Sequence, residues 1–305
     1  MKNLPRIFKG SVLLAAILLA GAPLALAQSK KFSKTYPASS GASLSINNQF
    51  GNVIIHTWNK NEVQADVSVV VNHGNERKAQ ELLDAINISS AMQGNEISFK
   101  TSIGKDKLNL KGNASMQVNY EVYLPVDIRL DLANKFGNTV LPNLKGSTQI
   151  KQSFGNLETG NLTGEENELS VEFSEGSIKI GNVKNLDATF SFSSIAIAGL
   201  TGQAEIDVRH CGKFELGAGS GLNSLELDAE YSDVDIELAE DLSAQFDVST
   251  NFGNFRYGSR IHIDEPEEKE ESRGPKFNFN YTGTIGKGGN CLLSIDSDFS
   301  TINFR

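Results

Sequence analysis

The chain has 305 residues, a formal net charge of −9 and a sequence pI near 5.1, which is enough for one large or two medium domains with a sizeable core. The acidic balance excludes a general nucleic-acid binder, because neutralising phosphates takes basic patches and the sequence has none. Two Cys and four scattered His exclude a disulfide scaffold and a Cys/His zinc module.

Lys2, Arg6 and Lys9 open the chain. Ser11 to Ala20 is apolar, Gly21 and Pro23 interrupt it, and Ala25-Leu26-Ala27 supplies a small-x-small site. Residues 1–27 therefore read as a secretory signal peptide, cleaved between Ala27 and Gln28. The apolar run is too short for a bilayer span of about 20 residues. No later stretch is apolar enough, so the mature chain is expected to carry no transmembrane span and to be periplasmic or extracellular in a bacterium.

Residues 28–60 read as the first coil and its cap strands, ending in Phe50-Gly51-Asn52 and the strand Val53–Trp58. Trp58, the only Trp, and His56 are candidates for a sugar-binding pair, weighed against simple packing under a cap. Residues 61–126 read as an α+β insertion that caps one end. Val63, Val67, Val69 and Val71 mark a strand, and Ala79, Leu82, Leu83 and Ile86 line one face of a helix over Asn75–Ile88. Ile97 and Phe99, then Val118, Tyr120, Val122 and Leu124, mark further strands.

Residues 127–305 repeat. Phe-Gly-Asn recurs at Phe136, Phe154 and Phe252, and looser copies begin at Phe173, Phe192, Cys211, Tyr231 and Phe299. From 136 to 252 the marks are 18 to 21 residues apart. Period-two alternation on both sides of each mark means strands, and the apolar phase slips at the mark. That slip predicts a corner at Gly-Asn, where both residues tolerate positive φ. Two short strands per repeat of about 19 residues cannot bury their own apolar face, but stacked copies can. The expected fold is all-β, a parallel β-solenoid (a right-handed β-helix or roll) with equivalent residues about 4.8 Å apart. Phe136, Phe154, Phe173, Phe192, Tyr231 and Phe252 then form a structural ladder pointing into the core, with Asn138 and Asn156 in an amide ladder beside it.

Acids are plentiful. Asp228, Glu230, Asp233, Asp235 and Glu237 alternate along one repeat, and Glu165, Glu166, Glu168, Glu172 and Glu175 lie earlier. A calcium site and a paired-acid glycan-cleaving site compete with a charged outward face as readings, and the outward face is preferred. No Gly-Gly-x-Gly-x-Asp repeat is present, and no Lys or Arg stands beside the acids as a base. His210 and Cys211 are strand neighbours facing opposite sides, so they do not share a metal, and Cys211 takes the place of a core Phe. His262 and Asp264 share a face but lack a third ligand. They begin a loop expected over 259–283, whose run Asp264–Glu271 holds six acids and one base. Cys211 and Cys291 fall several coils apart and are expected not to be disulfide-bonded to each other.

The run Asn119-Tyr120-Glu121-Val122-Tyr123-Leu124-Pro125-Val126-Asp127, followed by Leu130-Asp131-Leu132-Ala133-Asn134-Lys135-Phe136-Gly137-Asn138, resembles the start of the repeat region in the bacterial putative-adhesin family of unknown function. That family is similar to the GIN-type auto-transporter adhesin head domain. Phe50–Trp58 resembles the same family's opening. The resemblance implies an exported, non-catalytic β-solenoid tied to the cell envelope, and no catalytic residues are carried over from it.

The sequence thus leads to a non-enzymatic envelope protein that binds an envelope protein or a surface glycan, with no catalytic residue, cofactor or metal ligand assigned. Self-association through open strand edges is compatible with it. The alternatives are an extracellular glycan lyase or hydrolase, and a structural or signalling partner in envelope stress.

Overall fold

The computed structural model describes residues 26–104, 114–264 and 277–305. The leader expected over 1–27 lies almost wholly outside them, as does the acidic run after Asp264. The chain begins with β1 (Leu26–Pro37), β2 (Ser43–Gln49), β3 (Val53–Trp58) and β4 (Glu62–His73). Helix α1 (Glu76–Ala85), β5 (Ile86–Gln93), β6 (Glu96–Ile103) and β7 (Ser115–Pro125) follow. The repeats supply β8 (Arg129–Lys135), β9 (Thr139–Leu141), β10 (Thr148–Ser153), β11 (Leu157–Thr159) and β12 (Asn167–Glu172). Three long strands come next, β13 (Ser177–Ser191), β14 (Ser194–Arg209) and β15 (Lys213–Glu230). The chain ends with β16 (Asp233–Leu238), β17 (Ala244–Asn251), β18 (Asn254–Tyr257), β19 (Ile261–Ile263), β20 (Asn278–Ile285), β21 (Cys291–Asp298) and β22 (Thr301–Phe304).

The expected parallel β-solenoid, whether β-helix or roll, is not the architecture. All 22 strands form one sheet of mixed direction, nearly closed and barrel-shaped. Parallel pairing at an offset of one repeat occupies the middle, as in Ile150↔Leu169 and Leu169↔Ala188. Antiparallel pairs close the two ends: β1 with β4, β4 with β7 and β5 with β6 at one, β17 with β20 and β19 with β20 at the other. Nor does spatial order follow sequence order. β2 lies between β6 and β8, and β3 between β7 and β9. The last two strands also go inward, β21 between β15 and β17 and β22 between β16 and β18. Alternation and spacing fix a strand and its one-repeat partner, but alternation is the same in parallel and antiparallel strands. Reversal and insertion at the ends leave no mark on the period.

Each repeat turns a corner at its mark. Strands before the mark, from β2 and β8 through the second halves of β13–β15 to β21 and β17, form what is here termed the wide face. Strands after it, from β3 and β9 through the first halves of β13–β15 to β16, β22 and β18, form the second face. Between them lies one apolar cluster running from Leu44 to Phe304. Residues of the 61–126 segment, including Val67, Leu82, Phe99 and Val122, belong to that same cluster.

Helix α1 falls within the expected Asn75–Ile88 but ends at Ala85, and Ile86, expected on its face, opens β5. The Asn75 side chain caps it by accepting the Lys78 amide at 3.1 Å, and Ala79, Leu82 and Leu83 are buried. At its other end the Lys30 ammonium donates to the carbonyls of Leu83 and Ile86, satisfying helix-end acceptors and complementing the negative end of the dipole. Inside the corner, the Asn48 amide group donates to the carbonyls of Gly51 and Val118 and to Asn134 Oδ1, while Thr101 Oγ1 donates to Asn48 Oδ1. Thr139 Oγ1 donates to Gln152 Oε1 at 2.7 Å, continuing the network. Tyr120, hydrogen-bonded to Thr101, has its phenol pushed up to about 12 by burial. Cys211 and Cys291 are free and buried, and burial raises both thiols.

Candidate binding surfaces

Ten aromatic rings stack in one file along the corner edge, in the order Phe50, Phe136, Phe154, Phe173, Phe192, His210, Tyr231, Phe299, Phe252 and Phe277. Neighbouring centroids are 4.7–5.2 Å apart and ring planes lie within 20° of parallel. The rings do not point into the core, which corrects the inward ladder expected from the repeat. Phe136, Phe154, Phe173, Phe192, Tyr231 and Phe252 are 41–52 % exposed.

The reason is local. The first nine of these ten residues hold φ between 48° and 64°. A left-handed residue at a corner breaks the period of two, so the ring that should follow Gln152 inward turns out to solvent. The positive φ sits on the aromatic residue itself, one position before the Gly-Asn where it was expected. A left-handed L-residue costs about 1–2 kcal/mol, and each stacked pair returns about 0.5–1.5 kcal/mol, so stacking offsets part of that cost.

Gly is needed next for a different reason. A Cβ on Gly137 would sit 1.9 Å from the Gly51 carbonyl oxygen, and one on Gly155 would sit 2.1 Å from that of Gly137. Where Gly is absent, a buried Ser takes the place and bonds along the stack. Ser193 Oγ accepts the Ser174 amide, Ser232 Oγ the Cys211 amide and Ser300 Oγ the Ser232 amide. Cys211 therefore belongs to this Gly/Ser position, and His210 is the ring; the sequence frame was one residue late. Beside them Asn119, Asn52 and Asn138 each accept the backbone amide of the next Asn in the order Asn52, Asn138, Asn156, at 2.9–3.0 Å.

The wide face is carboxylate-rich. Register places Glu168, Asp187, Glu205 and Glu226 in one outward row and Asp207, Asp228 and Asp296 in the next. A groove of about 610 Å³ crosses the second row, lined by Arg209, Asp228, Glu230, Asp296 and Asp298 among others. Asp228 titrates above the ordinary carboxylate value, first through desolvation and then through Asp207, Asp296 and Glu226, with Arg209 opposing. A second groove, about 600 Å³, gathers Glu165, Glu166 and Glu168 with Arg129. The corner at Tyr231 separates acids the sequence had aligned. Asp228 and Glu230 lie on the wide face, whereas Asp233, Asp235 and Glu237 lie on the second, where Asp235 meets Arg305 at 2.8 Å and Asn303. Glu172 bonds Ser153, Lys184 pairs with Glu165, and Glu175 is exposed at a corner.

Trp58 does not pack under a cap. It joins a half-buried cluster in which His56 stacks on Tyr123 at 4.8 Å, Trp58 lies 5.3 Å from Tyr123, and Lys60 stands 4.3 Å over the indole. Glu121 accepts from Tyr123 and lies 3.3 Å from His56. The Tyr123 phenol is raised, chiefly by that hydrogen bond. Tyr123 and Glu121 belong to the Asn119–Pro125 run, but only strand pairing shows that they adjoin His56 and Trp58. His262 lies exposed on β19, and β19 with the first part of β20 falls within the described ends of the stretch expected as loop. Among the described residues no group of three or more His, Cys, Asp or Glu is arranged to hold a metal ion, and no helix is long and apolar enough to cross a membrane.

No family model matches the chain, and no curated protein matches it. Solved structures do. A putative cell adhesion protein from Clostridium sporogenes ATCC 15579 is 10 % identical, covering 91 % of this chain and 99 % of its own, with a TM-score of 0.26. A putative adhesin from Bacteroides fragilis NCTC 9343 is 11 % identical, covering 90 % and 97 %, with a TM-score of 0.35. A putative adhesin from Parabacteroides distasonis ATCC 8503 is 9 % identical, covering 90 % and 97 %, with a TM-score of 0.39.

Proposed function

We propose that this chain is an exported, non-enzymatic envelope protein that binds an envelope protein or a surface glycan along its aromatic edge and the wide face beside it. The observation that carries the reading is the file of ten half-exposed rings. An apolar stripe continuous along a molecule is the kind of surface that marks interaction sites, and here it is rimmed by carboxylate rows on a rigid sheet. Such a surface suits broad contact repeated from one repeat to the next, where avidity accumulates over weak single contacts. Cleavage after Ala27 leaves Gln28, paired with Val71 in β1, as the first residue.

The test uses chain 28–305, purified, on a glycan array and against an envelope fraction. Binding is expected, and replacing Phe154 and Phe192 together by Ser is expected to weaken it at least about tenfold, roughly 1.4 kcal/mol, with the fold retained by circular dichroism. Unchanged binding by that variant sinks the aromatic edge as the contact surface. The enzymatic alternative rests on Asp228, a raised carboxyl in a groove beside two other acids. Glycan turnover that disappears in Asp228→Asn would establish it in place of the binding reading.

A further inference from the structure

The two faces do not end together. Beyond β17 the wide face continues through β20 and β19, while the second face stops at β18. Among the described strands β18 pairs with β22 alone. The Asn254 amide donates to the Ser300 carbonyl at 3.1 Å. By strand alternation, the backbone N–H and C=O groups of Phe255 and Tyr257 turn to the open side. The opposite edge of this face, β1, carries Lys30, Lys31 and Lys34 and ends at Pro37, the residues that guard an edge against added strands. β18 reads Asn-Phe-Arg-Tyr and has neither Lys nor Pro.

An aromatic row lies along this open edge. Phe255 packs edge-on against Phe304 at 4.9 Å and lies 5.3 Å from Tyr281 and 5.2 Å from Tyr257. Tyr257 and Phe279 continue the row and are 47 % and 45 % exposed, because no described second-face strand lies opposite β20. On the solvent side, the row Asp235, Asn303, Arg256 ends in a cation.

We infer that the open edge of β18 is a strand-docking site for an extended segment of another polypeptide in which apolar residues alternate with acidic ones. This deepens the binding reading above and rests on it. The backbone groups left unpaired among the described residues select an extended strand, the aromatic row selects its apolar positions, and Arg256 selects an acid between them. β22 already takes such a strand on its other side. β16 reads Asp-Val-Asp-Ile-Glu-Leu, with Val234, Ile236 and Leu238 buried. A second copy of β18 is a poorer occupant, since its solvent-side residues are Asn254 and Arg256, with no acid to offer.

The probe is a fluorescent peptide with the sequence of residues 231–238, compared with a version carrying Lys at each acid and with a scrambled version lacking alternation. Anisotropy on chain 28–305 is expected to show the acidic alternating peptide binding at least about tenfold tighter than either control, less so at high salt. Amide exchange at Phe255 and Tyr257 slows in the complex. Arg256→Glu reverses the charge preference, and Tyr257→Pro abolishes binding while Tyr257→Phe retains it. Equal binding of the scrambled peptide, no binding of any peptide, or indifference to Tyr257→Pro in a folded variant would overturn the inference. So would a dimer, seen by light scattering, that Tyr257→Pro dissolves, since the occupant is then a second copy. Envelope binding is measured on the same samples. If it persists without peptide binding, the edge proposal fails alone; if both are lost, the binding reading fails with it.

Discussion

Phe173 shows how a single backbone angle changes the meaning of a residue. Its φ is 53° and its ring stacks on Phe154 and Phe192 while facing water. Phe173→Ala is therefore expected to cost about 1–3 kcal/mol, two stacking contacts, rather than the about 3–5 kcal/mol of a buried Phe; chemical denaturation measures it. His210 is the one non-benzenoid ring in the file, and His210→Phe should raise the melting temperature. Asp228 gives a pH signature. Its folded-state pKa is raised, so its contribution to stability is full below the ordinary carboxylate range and is lost as pH rises through the shifted value. Asp228→Asn should then be more stable than the parent at pH 7, with the difference shrinking as pH falls towards about 4. Thermal melts at the two pH values check the sign.

Among the elements, those built on uninterrupted period were legible from sequence. The strand before each mark, β4 with its valines, and α1 with Ala79, Leu82 and Leu83 all declare themselves by spacing. The corners did not. Phe-Gly-Asn announces that something recurs, but Gly suggests a positive φ that the structure gives to Phe. Gly137 instead answers a backbone carbonyl 1.9 Å from where its Cβ would be. Gly137→Ala should accordingly cost more than about 4 kcal/mol, visible as loss of the folded baseline in a denaturant titration. The Cys211 frame error has the same origin, since a repeat read as aromatic-small-polar slides by one where His replaces Phe.

Over the whole molecule, the one-repeat offset of the central strands was readable because parallel neighbours recur at the same interval. The closure of the sheet was not, because it depends on antiparallel pairs such as Val67↔Tyr120 and Val248↔Tyr281, whose members lie at no common interval. The candidate surface was half legible. Eight of the ten ring residues could be named from the repeat, but His210 and Phe277, the exposure of the rings, and the single row joining Asp207, Asp228 and Asp296 required the structure.

The placement of β21 and β22 ties two parts of the sheet together. Both slot between strands made earlier, and Ile302 is completely buried there. Ile302→Ala should cost about 2–5 kcal/mol, and removing residues 291–305 should leave β17 and β18 without their parallel neighbours. Among the described strands, only β21 and β22 join β17–β20 to β15 and β16. They work as a clasp: with it undone, the strands beyond β16 have no ladder to the rest of the sheet and should open as one unit.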